Sequence, residues 1–535
     1  MKVCFKFSTV MFLLLLFSSC NSSFEKAEIK NNVVSSAHPL ATKSGMAMYQ
    51  MGGNAFDAAV ASAFTLAVVE PSMSGIGGRL QTIYRKEDGK IGGVDASTEV
   101  PVNYVPLKEK FSYGYETIGI PGVVAGLIKL QKEHGLLDLY TVMQPAISHA
   151  ENGFMILPGE VYRHELVLDK LQEFEITSEN FLNPDGSVLK ANTLFIQKNL
   201  ATTLKVISAQ GSKGFYEGEI AEKMVQDIQS HGGILTLEDL KNYKALDAEV
   251  VEGVFRGHKV YALYLPSFGA ITVQILQILD QIKAPLFEND WAVTMGKATR
   301  YAYQFRNAQK YPDSLKMILS YKNAGKFAWE IDSKNQTIAS VESSQIPESW
   351  KAPDGHTTHL TTADSSGNVV SLTQTVGPIM GSKVVSKDLG FIYAVTLGGY
   401  LGDYKPGDRA NSHITPTLLT KNGKVVLALG AAGGSRIVPA VVQVISRYVD
   451  QSISLEKALM LPRVYPVGDT LWVENHPKIS EINADLDPVQ YPHKMIDEIA
   501  RFGRVHAIAI DSLKTSWLGA ADPDWEGTSE SFVED

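Results

Sequence analysis

Residues 356–375 read HTTHLTTADSSGNVVSLTQT, and their pattern decides the fold. Two runs rich in β-branched residues, His356–Ala363 and Val369–Thr375, flank Asp364-Ser365-Ser366-Gly367-Asn368. The five residues between them are turn formers, so the stretch predicts a β-hairpin. Centring that hairpin on Ser366 puts Thr357 opposite Thr375, on one face of a sheet. A bulge would move this register by one residue.

Upstream of the hairpin, residues 333–356 (SKNQTIASVESSQIPESWKAPDGH) are polar and read as an exposed connector. Downstream, Val425–Leu429 is a short apolar strand, followed by Gly430-Ala431-Ala432-Gly433-Gly434-Ser435-Arg436 and a helix from Ile437 to about Tyr448. Glycines between a strand and a helix can aim bare backbone N–H groups at an anion. Such a turn suits a phosphate or the oxyanion of an acyl-transfer intermediate, and spacing alone does not choose between them.

The first half alternates helices and strands. Helical character over Ala41–Tyr49 stops at Gly52-Gly53, and Asn54 is a good N-cap for Ala55–Val69. That second helix, AFDAAVASAFTLAVV, is almost wholly small and apolar, which predicts burial on all sides. A glycine turn, Gly75-Ile76-Gly77-Gly78, precedes strand-like Leu80–Arg85. Helices follow the Gly119 turn and span Ile220–Gly232 and Ala270–Ile282, with strand-like Gly257–Leu263 between the last two. The mixture is α/β (α+β).

Composition narrows the class. The 535 residues are 44% hydrophobic and 20% charged, with a net charge of −9. These values exclude a disordered or collagen-like chain, and a mildly acidic chain without a basic block is a poor nucleic-acid binder. Residues 1–20, MKVCFKFSTVMFLLLLFSSC, carry Lys2 and Lys6 before a short apolar stretch, Val10–Phe17, and end in Cys20. They resemble a bacterial lipoprotein signal, so residues 1–19 are expected to be removed and Cys20 to be lipidated, with residues 20–36 as lipidated cysteine and tether. Membrane contact would then run through the lipid alone, on the periplasmic or cell-surface side. Cys4 and Cys20 are the only cysteines, so the body has no disulfide, thiol nucleophile or cysteine-based metal site. The sequence contains no G-x-S-x-G elbow, H-E-x-x-H pair or Walker loop, and its 12 histidines lack metal spacing. No metal or organic cofactor is expected.

The motifs now on the page resemble the γ-glutamyltranspeptidase family of N-terminal-nucleophile hydrolases. In the second half the resemblance rests on Thr357-Thr358-His359-Leu360, the Gly367-Asn368 turn, Ser412-His413-Ile414-Thr415-Pro416-Thr417 and Gly433-Gly434-Ser435-Arg436-Ile437. In the first half it rests on Gly52-Gly53-Asn54-Ala55-Phe56-Asp57-Ala58-Ala59, Gly119-Ile120-Pro121-Gly122-Val123-Val124-Ala125-Gly126, Gln144-Pro145-Ala146, Gly214-Phe215-Tyr216-Glu217-Gly218 and Gly232-Gly233. Gly519-Ala520-Ala521-Asp522-Pro523 closes the series, which runs in order from about residue 36 to 523.

The resemblance implies a four-layer αββα sandwich built from one self-cutting precursor. The cut falls between His356 and Thr357. It gives a large subunit over residues 37–356 and a small subunit over 357–535, which stay associated as one αββα unit. Thr357 is implied as nucleophile of both self-cleavage and turnover, Thr375 as its hydrogen-bond partner, and Gly433 and Gly434 as oxyanion donors. His359 belongs to the motif without an evident proton-transfer role. The expected substrate is a small-molecule or peptide amide.

Where the family grips its substrate, this sequence departs. The family holds the α-carboxylate with an arginine after an Asp, and Asp95-Ala96-Ser97-Thr98-Glu99 has Ser97 there. Serine cannot replace a bidentate guanidinium. The family's Asn past the second threonine is Gly377, and its Gln and Asp fall at Thr396 and Gly399. Of its paired serines Ser412 remains and the second is His413. The stretch from Tyr400 to Ser412 is short, which predicts an open pocket. Arg79, in a turn where the family has glycine, and His413 are candidates for a relocated contact. The sequence therefore points to an amide hydrolase or acyltransferase with altered donor specificity. The alternatives are a true γ-glutamyl enzyme acting on glutathione-like compounds and a binding lipoprotein that keeps the fold.

Overall fold

The hairpin forms in the expected register. A computed structural model describes residues 29–106, 111–285, 287–333, 356–398, 404–468, 470–475, 492–499, 501–511, 513 and 515–533. Strand Thr358–Ala363 pairs antiparallel with Val369–Thr375, with Val369 opposite Ala363 and Gln374 opposite Thr358. There is no bulge, so Thr357 and Thr375 face each other where the hairpin opens. Asp364 holds the turn, accepting from the Asn368 N–H at 2.9 Å and the Ala55 N–H at 3.0 Å.

Two antiparallel sheets stack around this hairpin. The first has seven strands in the order Thr528–Phe532, Asn32–Ser36, Thr358–Ala363, Val369–Thr375, Arg79–Arg85, Ile91–Ala96 and Leu246–Asp247. The second has six, in the order Ser516–Ala521, Arg504–Asp511, Lys424–Ala432, Thr417–Lys421, His258–Leu263 and Val250–Phe255. Val33, Ile83, Ala363, Leu418, Ala428 and Ile508 meet between them. Helices Pro39–Gln50 and Ala55–Val69 cover the outer face of the first sheet, and Gly269–Gln281 and Ile437–Asp450 that of the second. These are the four layers αββα. Each sheet takes strands from both sides of residue 357, so neither half of the chain owns a core of its own.

Local chemistry explains the helices. Ala55–Val69 is buried at every residue. Its capping box is complete: Asn54 accepts from the Phe56 and Asp57 N–H groups, and Asp57 accepts from the Asn54 N–H at 2.8 Å. Asn54 Nδ2 also donates to the His134 carbonyl at 2.7 Å, so one side chain ties two helix ends together.

Two expectations need correction. Residues 32–36 are not tether: Asn32–Ser36 is a wholly buried strand between the chain's last strand and the hairpin. Its polar look misleads because each polar side chain has a partner. Asn32 Oδ1 accepts from the Ser365 N–H at 2.8 Å and Ser35 Oγ donates to the Ala520 carbonyl at 2.7 Å. Arg79 is not in a turn. It opens strand Arg79–Arg85, stands opposite Thr375 and is 1% exposed. The signal segment, Cys20 and residues 334–355 of the connector lie outside the described residues, as do Gly399 to Asp403. Among the described residues, no helix is long and apolar enough to cross a membrane.

Candidate active site

The open end of the hairpin meets the glycine turn of the second sheet. Thr357 and Thr375 are both buried, and Thr357 Oγ1 donates to Thr375 Oγ1 at 3.1 Å. The Gly377 N–H donates to the same Thr375 oxygen at 2.9 Å, so that oxygen is held from two sides. The carbonyl of His356 accepts from the Gly433 N–H at 2.9 Å. The bond between His356 and Thr357 is thus flanked by a hydroxyl on one side and an N–H at its carbonyl oxygen on the other.

Backbone conformation at this junction is unusual. Thr357 has φ 102°. A β-branched residue is rarely found there, and such a conformation costs on the order of 1–3 kcal/mol. Gly433 has φ 140°, and a Cβ on it would lie 2.7 Å from the Gly503 Cα. Only glycine fits a turn that presents its N–H this way. Gly434 follows at φ 57° and opens the short turn that leads into helix Ile437–Asp450.

Behind the threonines, His359 is fully packed. Its ring nitrogens meet Thr373 Oγ1 at 2.8 Å and Thr361 Oγ1 at 2.9 Å. Burial pushes its pKa down to about 3, so the ring is neutral at physiological pH. It orders the two strands and contacts neither Thr357 nor Thr375 by any described hydrogen bond.

The residues at the family's recognition positions divide into two groups. Ser97 is buried and committed elsewhere. Its Oγ accepts from Gln81 Nε2 at 2.7 Å, and its carbonyl accepts from the Tyr243 hydroxyl at 2.6 Å. Neighbouring Asp95 pairs with Arg409 at 3.1 Å, so this corner is sealed by an internal ion pair. Ser412 and His413 form the second group. The Ser412 N–H donates to the Pro266 carbonyl at 2.8 Å, and the His413 ring packs edge-on against Phe268 at 4.8 Å.

Two cations that the sequence reading did not single out, Lys383 and Arg436, act on His356 together with Arg79, and a third, Arg306, stands at His413. Burial pushes the His356 imidazole down to about 3, and Lys383, Arg436 and Arg79 push it the same way. Arg306 Nη1 lies 3.3 Å from His413 Nε2. Only Arg436 stood inside a recognised motif. Arg306 and Lys383 sit in segments whose spacing carries no signal, and only the fold brings them here.

Two stacked sheets with outer helices, opened at one end by a strand-initial threonine, are the architecture of the N-terminal-nucleophile hydrolases. The family description Gamma-glutamyltranspeptidase matches residues 41–532. The chain belongs to that family, an enzyme family of hydrolases and transferases. It is 30% identical to a glutathione hydrolase proenzyme of Bacillus subtilis over 94% of this chain and 91% of that one. It is also 30% identical to an acylase ACY 1 proenzyme of a Pseudomonas species, over 89% of each chain. Among solved structures, a cephalosporin acylase from Bacillus halodurans superposes with a TM-score of 0.83 at 25% identity, covering 94% of this chain and 96% of that one.

Proposed function

We propose that this protein is an exported amide hydrolase or acyltransferase that cuts itself between His356 and Thr357 and then turns over through a Thr357 acyl-enzyme. One observation carries the reading. In the uncut chain the His356 carbonyl rests on the Gly433 N–H while the next residue's hydroxyl is held by Thr375.

The chemistry follows from that geometry. Thr357 Oγ1 adds to the His356 carbonyl carbon, and the oxygen that becomes negative is already on a fixed donor. Collapse breaks the C–N bond and leaves an ester on Oγ1 and a free α-amine on Thr357. Water hydrolyses the ester, releasing the carboxylate of His356. Relief of the positive φ at Thr357 favours the cut. Afterwards the α-amine, with an ordinary pKa of about 7.7–8.0, serves as the base that a threonine hydroxyl needs. A substrate acyl group then takes the place His356 held, and water or an amine accepts it. The two parts stay together because both sheets interleave their strands.

For this chain, likeness to relatives named glutathione hydrolase speaks for γ-glutamyl donors, and likeness to relatives named acylase speaks for other acyl groups. Burial of Ser97 against Gln81, at the position where the family has arginine, supports the second. An exported lipoprotein, anchored through Cys20, fits the leader sequence. Release of p-nitroaniline from γ-glutamyl and other acyl p-nitroanilides tests the reading. Turnover should vanish in Thr357→Ala, and turnover that survives that change would refute it.

A further inference from the structure

A cavity of about 780 Å³ shares no lining residue with the site described above. Segments 111–116 and 173–177 form its walls, with Asp227, His231, Val385 and Lys387. Its size suits a small organic ligand. Residues from both sides of the His356–Thr357 bond build it.

Its shape is fixed by backbone bonds. Gly114 has φ 97°, and its N–H donates to the Ser382 carbonyl at 2.8 Å. Thr117 Oγ1 donates to the Gly114 carbonyl at 2.7 Å. These bonds hold Tyr113 and Tyr115 in a row of rings. Phe174 meets Tyr113 edge-on at 6.3 Å and Tyr115 at 6.1 Å, and His231 stacks on Tyr115 at 4.1 Å, within 8° of parallel. Thr177 Oγ1 donates to the Lys383 carbonyl at 2.7 Å and accepts from the Val385 N–H at 3.1 Å, so the large-subunit and small-subunit parts of the wall are joined.

The charge of the cavity is one-sided. Glu116, Glu173, Glu175 and Asp227 line it, against a single lysine, Lys387. Two of these carboxylates hold rings: the Tyr113 hydroxyl donates to Glu173 at 2.9 Å, and the Tyr115 hydroxyl to Asp227 at 3.4 Å. Glu116 and Glu175 have no hydrogen-bond or ion-pair partner among the described residues. The row of rings already attracts one cation, since Lys170 Nζ lies 5.3 Å from the Tyr113 centroid. Aromatic faces and carboxylates together favour a positive group with an apolar body.

We propose that this cavity binds an organic cation, a guanidinium or primary ammonium on an apolar stem, carried by a free amine or by a basic side chain of a peptide. The stem lies along Tyr113, Phe174 and Tyr115, and the head pairs with Glu116 and Glu175. An anion is repelled by the four carboxylates, and a neutral ligand gains the rings alone. The inference stands whether or not Thr357 is the nucleophile.

Calorimetry on the purified protein at low salt tests it with N-acetylarginine amide, its neutral counterpart N-acetylcitrulline amide, and agmatine. The arginine amide should bind about 10-fold or more tightly than the citrulline amide, the worth of one charge-assisted hydrogen bond. Changing Glu116→Gln and Glu175→Gln together should weaken it by about 10-fold, and Tyr113→Leu by about 3-fold. Thr357→Ala should bind it unchanged, because the cavity is complete in the uncut chain. Agmatine binding as tightly as the arginine amide would support a free amine as the occupant, and binding of the amide alone would support a peptide side chain. No saturable binding of either cation, equal affinity for the citrulline amide, an affinity indifferent to Glu116 and Glu175, or binding lost in Thr357→Ala would overturn the proposal.

Discussion

The two walls of the pocket are built in different ways. The wall carrying Thr357, Thr375 and Gly433 is made by backbone: a hairpin register fixes two hydroxyls, and a glycine turn fixes one N–H. The recognition side, at Ser412 and His413, is made by side chains that arrive from distant segments, with Arg306 and Phe268 both against His413. Backbone geometry tolerates little substitution, because each part needs one residue type at one place. Side-chain recognition can be moved, since any segment that reaches the pocket can supply a cation. Reaction chemistry and donor choice can therefore diverge separately on one scaffold.

The largest effect should follow from the nucleophile. Thr357→Ala should abolish self-cleavage and lower any amide turnover by about 10³-fold or more, seen as a single uncut band and a flat absorbance trace. Next comes the turn. Gly433→Ala sets a Cβ against Gly503 and forces φ 140° on alanine, which moves the N–H off the His356 carbonyl. Losing one such donor should slow self-cleavage by about 10²–10³-fold, measured by a time course on fresh protein. If cleavage kept its normal rate, the backbone wall would not be doing what its geometry suggests.

Thr375→Val keeps the shape and removes the oxygen shared by Thr357 and the Gly377 N–H. A loss of about 10-fold in cleavage rate is expected, with the fold retained by circular dichroism. Substitutions on the recognition wall should leave cleavage intact and change only which donor is used. A recognition-wall variant that stopped cleavage would erase the distinction between the walls.

The smallest effect concerns stability. Burial holds His38 and His359 down to about 3, below the ordinary histidine value near 6.5. The unfolded chain then binds more protons than the folded one, so the contribution of these groups is complete above about pH 6.5. It is lost progressively as pH falls toward 3. Melting temperature should fall over that window, and His359→Gln should flatten the fall.

The difference between the walls also explains what could be read in advance. The hairpin, the wholly buried Ala55–Val69 helix and the strand before Gly433 were legible because period, capping and turn residues are local signals. Thr375 was legible for the same reason, since register is arithmetic once the turn is found. Asn32–Ser36 was misread because partners for its polar side chains lie far away in sequence, Asn32 Oδ1 accepting from the Ser365 N–H and Ser35 Oγ donating to the Ala520 carbonyl. Arg79 was misplaced in the turn because the glycines just before it hide where the strand begins; it opens that strand, buried, with its guanidinium donating to the Val395 carbonyl at 2.9 Å. Arg306 left no trace, because nothing near it in sequence announces a site.

Self-cleavage before Thr357 is the claim on which the rest stands. The most direct measurement is intact mass with N-terminal sequencing of the purified protein beside Thr357→Ala, followed over days. Two associated fragments, one beginning at Thr357, with the variant uncut, are the predicted result. A wild-type chain that stays whole while correctly folded would contradict it, and the same fold would then have to be read as a binding protein.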